Sequence, residues 1–158
     1  MTITNHNIEE LLFEIKDPEI PVLSIMDMGI VRNIEVQEKN VYLKITPTYS
    51  GCPAMDTIAT DIKIHLDKLG YTTKVELVLA PAWTTDWIQE SSKQKLREYG
   101  IAPPDRKACM HTAINAQPEW PHCGSVDTKM VSEFGSTACK AHFQCNACLE
   151  PFDYFKCI

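Results

Sequence analysis

The sequence predicts an α+β protein in two parts: a small sheet of three or slightly more strands packed with helices, then a small cysteine-rich β module. Three observations lead there. Hydrophobic periods over the first hundred residues run helix, strand, strand, helix, strand, helix. Five of the seven cysteines fall between Cys123 and Cys157. Between these regions lies a stretch holding three of the ten prolines. The expected boundaries are 1–100 for the first domain, 101–118 for a linker and 119–158 for the module.

Asn7 is the expected cap of a first helix in which Ile8, Leu11, Leu12 and Ile15 share one face, and Pro18 and Pro21 end it. Asp17-Pro-Glu-Ile-Pro21 is then an extended loop presenting Asp17 and Glu19. Val31 to Val36 and Val41 to Thr46 read as a hairpin about the polar turn at 37–40, with Val41, Leu43 and Ile45 alternating toward a core. A helix with Met55, Ile58, Ala59, Ile62, Leu66 and Leu69 on one stripe stops at Gly70. Lys74 to Leu79 is a third strand. Thr84 or Thr85 caps a last helix running to Gly100, closed by Pro103 and Pro104. Trp83 and Trp87 are expected to be core or interface anchors.

The chain is 44% apolar and 23% charged, ordinary globular values. No run approaches the ~18–20 apolar residues of a membrane span, and the N-terminus lacks a basic region followed by an apolar one. A cytoplasmic location with no membrane partner is therefore expected. Residues 1–90 hold 14 of the 21 acidic side chains and 7 of the 15 basic ones. That acidic body repels phosphate backbones, so no nucleic-acid partner is expected.

Clustered thiols in a reducing compartment point to a metal rather than a disulfide framework. Cys145-Asn-Ala-Cys148 is a C-x₂-C knuckle, and 22 residues earlier Pro121-His-Cys123-Gly124 looks like the second half of another. Two such turns build the tetrahedral thiolate site of a zinc-ribbon-like module, with Thr128–Val131 and Cys139–Gln144 as hairpin strands. Forty residues with few large aliphatics need such a cross-link. Cys123, Cys145 and Cys148 are the expected ligands of a structural zinc. A complete first knuckle would carry cysteine where this chain has Trp120, so the fourth ligand is left open among water, Cys109, His111, Cys139 and Cys157. Antiparallel pairing about the 145–148 turn sets opposite positions to sum to about 295, which makes Cys139 and Cys157 cross-strand neighbours.

Cys52 differs in kind. Gly51 permits a tight turn and Pro53 suits a first helical position, so Cys52 is expected at a helix N-cap with its thiol pKa lowered by the helix dipole. His6 and His65 are poorly placed as its base, and a C-x₂-C pair or a Gly-rich cofactor loop is missing around it. Metal or cluster handling is expected there, with no catalytic residues.

Several ordered motifs then become familiar. Asp17-Pro-Glu-Ile-Pro, Ile25-Met-Asp-Met-Gly-Ile-Val31, Thr48-Tyr-Ser-Gly-Cys52-Pro and Leu79-Ala-Pro-Ala-Trp-Thr84 resemble the SufT-like metal–sulfur cluster biosynthesis family. The tail, Ser132-Glu-Phe-Gly-Ser-Thr-Ala-Cys-Lys140 with Cys145-x₂-Cys148 and Glu150-Pro-Phe-Asp-Tyr-Phe-Lys-Cys157, is similar to its PaaD branch, found with a multicomponent phenylacetyl-CoA epoxidase of phenylacetate degradation. The resemblance implies an assembly factor rather than a turnover enzyme. It implies Asp17, Glu19, Thr48 and Cys52 as the cluster-handling set, transient iron or an iron–sulfur cluster as the cargo at Cys52, and the oxygenase reductase or an iron-containing subunit as client. A non-catalytic structural subunit is the alternative. One cysteine bridges a cluster only with help from small thiols or a second chain, which keeps a homodimer among the expectations. Trp120 departs from the branch, which normally has a complete first knuckle.

Overall fold

The computed structural model describes residues 5–104 and 116–158. Cys109 and His111, two of the expected ligand candidates, lie outside the described residues, as does most of the expected linker. The chain divides into two units, Met1–Trp83 with Trp87–Gln89 and Thr84–Asp86 with Glu90–Ile158.

In the first unit, helix α1 spans Asn5–Leu12, so it begins before Asn7, the expected cap. Its period is as expected, with Ile8, Leu12 and Ile15 buried. Residues 16–30 then fold back through turns: Lys16 bridges to Ser24, and Ser24 and Asp27 cap one another, each backbone N–H donating to the other's side-chain oxygen at 2.9 and 3.0 Å. Strands β1 (Val31–Gln37) and β2 (Asn40–Ile45) form the antiparallel hairpin. Helix α2 (Ala54–Asp67) crosses over to β3 (Thr72–Leu77), which pairs parallel to β2 and completes a sheet of order β1-β2-β3. Val41, Leu43 and Ile45 of β2 face the core together with Ile58, Ile62 and Leu66 of α2. The indole of buried Trp83 donates to the Met28 carbonyl at 2.8 Å. Trp87 is half-buried beneath the Arg32 guanidinium, 3.6 Å from its ring centroid.

The expected helix from 84 to 100 is two pieces, a 3₁₀ turn at Thr85–Trp87 and helix α3 at Glu90–Tyr99. Helix α3 belongs to the second unit rather than to the first domain as drawn from sequence. Ile101–Ala102, expected in the linker, form strand β4 and pair parallel to a later strand. The prolines at 103 and 104 hid them: both residues are apolar and buried, so the chain pairs before it turns.

The remainder of the second unit is a meander of β5 (Thr128–Ser132), β6 (Lys140–Cys145) and β7 (Pro151–Phe155). The sheet order is β4-β7-β6-β5, with antiparallel pairs β5–β6 and β6–β7. In β6–β7 Lys140 faces Phe155 and His142 faces Asp153, the register expected from the 145–148 turn. One face of the sheet carries a compact aromatic core. Trp120 stacks on Phe152 at 4.6 Å, and Phe143 meets Tyr154 edge-on at 5.6 Å. No helix among the described residues is long and apolar enough to cross a membrane.

Candidate metal and cluster-handling sites

Within the first unit, the loop after α1 positions the carboxylates. Asp17 is buried, and its Oδ1 accepts the backbone N–H of Glu19 at 2.7 Å and of Ile20 at 3.0 Å. A side-chain oxygen here does the work of a turn carbonyl, which holds the Asp-Pro-Glu loop in one shape. Thr48 is buried on the segment leaving β2. Gly51, at φ +79°, turns the chain in a conformation that favours glycine.

Cys52 is half-buried and follows that turn. The N-cap of α2 is Pro53, so Cys52 stands one residue before the cap rather than at the cap itself, where the sequence led us to expect it. The expected acidification is also corrected. Burial pushes the Cys52 thiol up, and the Glu19 and Asp17 carboxylates add to the rise; the Ala54 backbone N–H and the Tyr49 side chain pull the other way but do not win. A helix end alone would favour the thiolate, but the fold brings two carboxylates from 33 and 35 positions back close enough to act on the thiol. Tyr49 is a neighbour that sequence reasoning did not single out.

In the second unit, the sulfurs of Cys123, Cys145 and Cys148 all lie within 4.8 Å of one another. Cys123 Sγ and Cys145 Sγ are 3.6 Å apart. A tetrahedral zinc with 2.3 Å bonds to sulfur sets neighbouring thiolates about 3.8 Å apart, so the three thiols fit that ion. The Cys148 and Ala147 backbone N–H groups pull the Cys145 thiol down to about 7 despite its burial. Although the Ser125 N–H pulls Cys123 down, burial and the adjoining Cys145 and Cys148 sulfurs push that thiol up on balance.

Both turns that carry these thiols have one backbone plan. In the second, Cys145 N donates to Glu150 O at 2.9 Å and Leu149 N to Cys145 O at 3.0 Å. In the first, Trp120 N donates to Ser125 O at 2.9 Å and Gly124 N to Trp120 O at 2.8 Å. Leu149 and Gly124 occupy the same place in each turn, both with positive φ, at 66° and 71°. The first knuckle is therefore fully folded with Trp120 in the place that Cys145 holds in the second. Its side chain is 4% exposed and joins the aromatic core.

Of the other ligand candidates among the described residues, Cys139 is buried with its sulfur 3.0 Å from Thr137 Oγ1, and Cys157 Sγ lies 3.6 Å from the Tyr154 hydroxyl. Neither belongs to the three-thiol group. Cys157 is disulfide-bonded, so it offers an ion no free thiol. Just past the end of the β6–β7 ladder Lys156 N donates to Cys139 O at 3.0 Å, so the register sets Cys139 against Lys156 rather than against Cys157.

Comparison with known proteins places both units. Residues 5–77 match the family described as iron-sulfur cluster assembly protein, and residues 106–156 match the PaaD zinc beta ribbon domain. The chain is 49% identical over 154 residues, 97% of its length and 93% of the relative's, to an Escherichia coli (strain K12) protein described as a putative subunit of 1,2-phenylacetyl-CoA epoxidase. It is 30% identical over 96 residues, 59% of its length and 90% of the relative's, to a Porphyromonas gingivalis (strain ATCC BAA-308 / W83) Fe-S protein maturation auxiliary factor. A solved domain of unknown function, DUF59, from Bacillus anthracis shares the first unit's fold, with a TM-score of 0.54, 25% identity, and coverage of 58% of this chain and 89% of that one. Joining an iron–sulfur cluster assembly domain to a PaaD zinc beta ribbon, and aligning over nearly its whole length with the Escherichia coli protein, the chain belongs to the PaaD family.

Proposed function

We propose that this chain is an accessory factor that matures the iron–sulfur or iron centres of a multicomponent phenylacetyl-CoA oxygenase. The observation that carries the reading is the double likeness. An alignment over 59% of the chain is to an Fe-S protein maturation auxiliary factor, and one over 97% of it is to a protein described as a putative epoxidase subunit.

The chemistry of Cys52 supports it. Asp17, Glu19, Thr48 and Cys52 form the handling set, with the thiol as soft ligand and the carboxylates as hard oxygen donors for iron. Burial and the two carboxylates hold the proton on Cys52, so a metal must displace that proton to bind. A proton therefore competes with the cargo for the sulfur, which suits a carrier that must let go. One thiol leaves most of a cluster's ligands to small thiols or a second copy of the chain. The client is the oxygenase reductase or its iron-containing subunit. In the second unit Cys123, Cys145 and Cys148 hold a zinc, which supplies a structural cross-link rather than reactivity.

The test is iron in the client, measured per subunit after expression beside wild-type or Cys52→Ser protein. The reading expects client iron to fall to the level seen without the factor, and full iron with Cys52→Ser refutes it. The Escherichia coli relative's description as an epoxidase subunit favours a second reading, a non-catalytic structural part of the oxygenase. Stoichiometric co-purification together with full client iron in Cys52→Ser selects that one.

A further inference from the structure

The first knuckle keeps its backbone but has lost its first thiolate, and the side chain in that place points to what replaces it. Trp120 Nε1 donates to Glu150 Oε2 at 2.9 Å. The same carboxylate oxygen lies 4.0 Å from Cys148 Sγ. A zinc-bound sulfur and oxygen, with bonds of about 2.3 and 2.0 Å at tetrahedral angles, sit about 3.5 Å apart, close to the separation already present. From these contacts we infer that Glu150 is the fourth protein ligand of the zinc site and that Trp120 is a positioning residue that orients its carboxylate.

Three further points support the assignment, which rests on reading the three thiols as a zinc site. Glu150 is the residue whose carbonyl closes the second knuckle against Cys145 N, so its Cα is fixed by the same turn that presents Cys145 and Cys148. Its side chain is exposed and lies outside the three-thiol group, so reaching the ion takes a side-chain rotation rather than a backbone shift. The charge also matches: three thiolates and a carboxylate carry the four negative charges of a four-cysteine site, which water in the fourth place would not. Each carboxylate oxygen has two lone pairs, so accepting the indole N–H leaves Oε2 with donor capacity for a metal. A ligating carboxylate is ordinarily held by such an outer hydrogen bond. Trp120 thus fills the core and supplies that bond at once.

The experiment titrates zinc and cobalt(II) into metal-free full-length protein and compares wild type with Glu150→Gln, Trp120→Phe and Cys109→Ser. Zinc affinity is read by competition with a chromophoric chelator, and the ligand field by the cobalt visible spectrum. Trp120→Phe keeps the ring against Phe152 and removes the N–H; it should weaken zinc by about 10–100-fold without changing the shape of the cobalt bands. Glu150→Gln should weaken zinc further and shift those bands, because a donor atom has changed. Cys109→Ser should match wild type. An unchanged affinity and spectrum in Glu150→Gln overturns the inference, and so does a Cys109→Ser spectrum that shifts instead. Wild-type protein that takes up neither ion fails at the earlier step, the zinc site itself.

Discussion

Asp17, an oxygen donor in the proposed handling set, also has a loop-shaping duty that can be measured on its own. Its Oδ1 already serves two backbone N–H groups, at 2.7 and 3.0 Å, in a buried position. Hydrogen bonds to a charged acceptor contribute about 1.5–3 kcal/mol each, and part of that is returned when the carboxylate no longer has to be desolvated. Asp17→Ala should therefore lower the stability of the first unit by about 3 kcal/mol. With a urea m-value of about 1.5 kcal/mol per molar, the unfolding midpoint falls by about 2 M. Asp17→Asn keeps an acceptor oxygen in place and gives up only the charge, so its loss should be nearer 1 kcal/mol. The assay is urea unfolding followed by Trp83 fluorescence, since that buried indole is tied to Met28 within the same unit. A loss under about 1 kcal/mol for Asp17→Ala would refute the scaffolding role. Equal losses for the two variants would show that charge rather than acceptor geometry matters.

Glu19→Gln removes a carboxylate that raises the Cys52 thiol pKa, so more thiolate forms at neutral pH and the whole alkylation profile moves to lower pH. Peptide mass spectrometry after iodoacetamide labelling reads the rate at Cys52, and an unchanged or slower rate contradicts the electrostatic account. Phe152→Ala empties the place stacked against Trp120 and beside Phe143, and should cost the second unit about 3–5 kcal/mol with loss of its near-UV circular dichroism. Chelation of zinc should lower the melting transition of the second unit, reported by Trp120 fluorescence, and re-addition should restore it. A melting profile that ignores verified zinc removal counts against a structural metal.

The alternating Val41, Leu43 and Ile45 gave away β2, and the period of Ile58, Ile62 and Leu66 gave away α2, because burial on one face imposes that spacing. The C-x₂-C pair was equally legible, and the position of the 145–148 turn alone set the register of β6 and β7. Other features were not local. Two residues, Ile101 and Ala102, make a strand only because β7 waits fifty positions later. The charge environment of Cys52 depends on Asp17 and Glu19, whose approach is set by the packing of a loop that has no period to read. Trp120 was visible as a gap in a cysteine pattern, but the repetition of the knuckle hydrogen bonds around it needed the backbone. Glu150, two residues after Cys148, looked like an ordinary exposed carboxylate.

The two thiol environments differ in the direction that their proposed duties require. At the second knuckle, backbone N–H groups converge on Cys145 and draw its thiol down to about 7, so that one sulfur meets a metal with little proton competition, although Cys123 beside it is pushed up. At Cys52 burial and two carboxylates oppose ionisation, so a metal meets proton competition on every binding event. Three convergent sulfurs against one, with Cys145 readily ionised, should rank affinity for a thiophilic ion, and the three-thiol group fills first. Limiting zinc added to metal-free protein should leave Cys52 open to alkylation while Cys123 and Cys148 become protected. Protection of Cys52 ahead of those two would reverse the ranking and remove the distinction between a retained ion and a passing one.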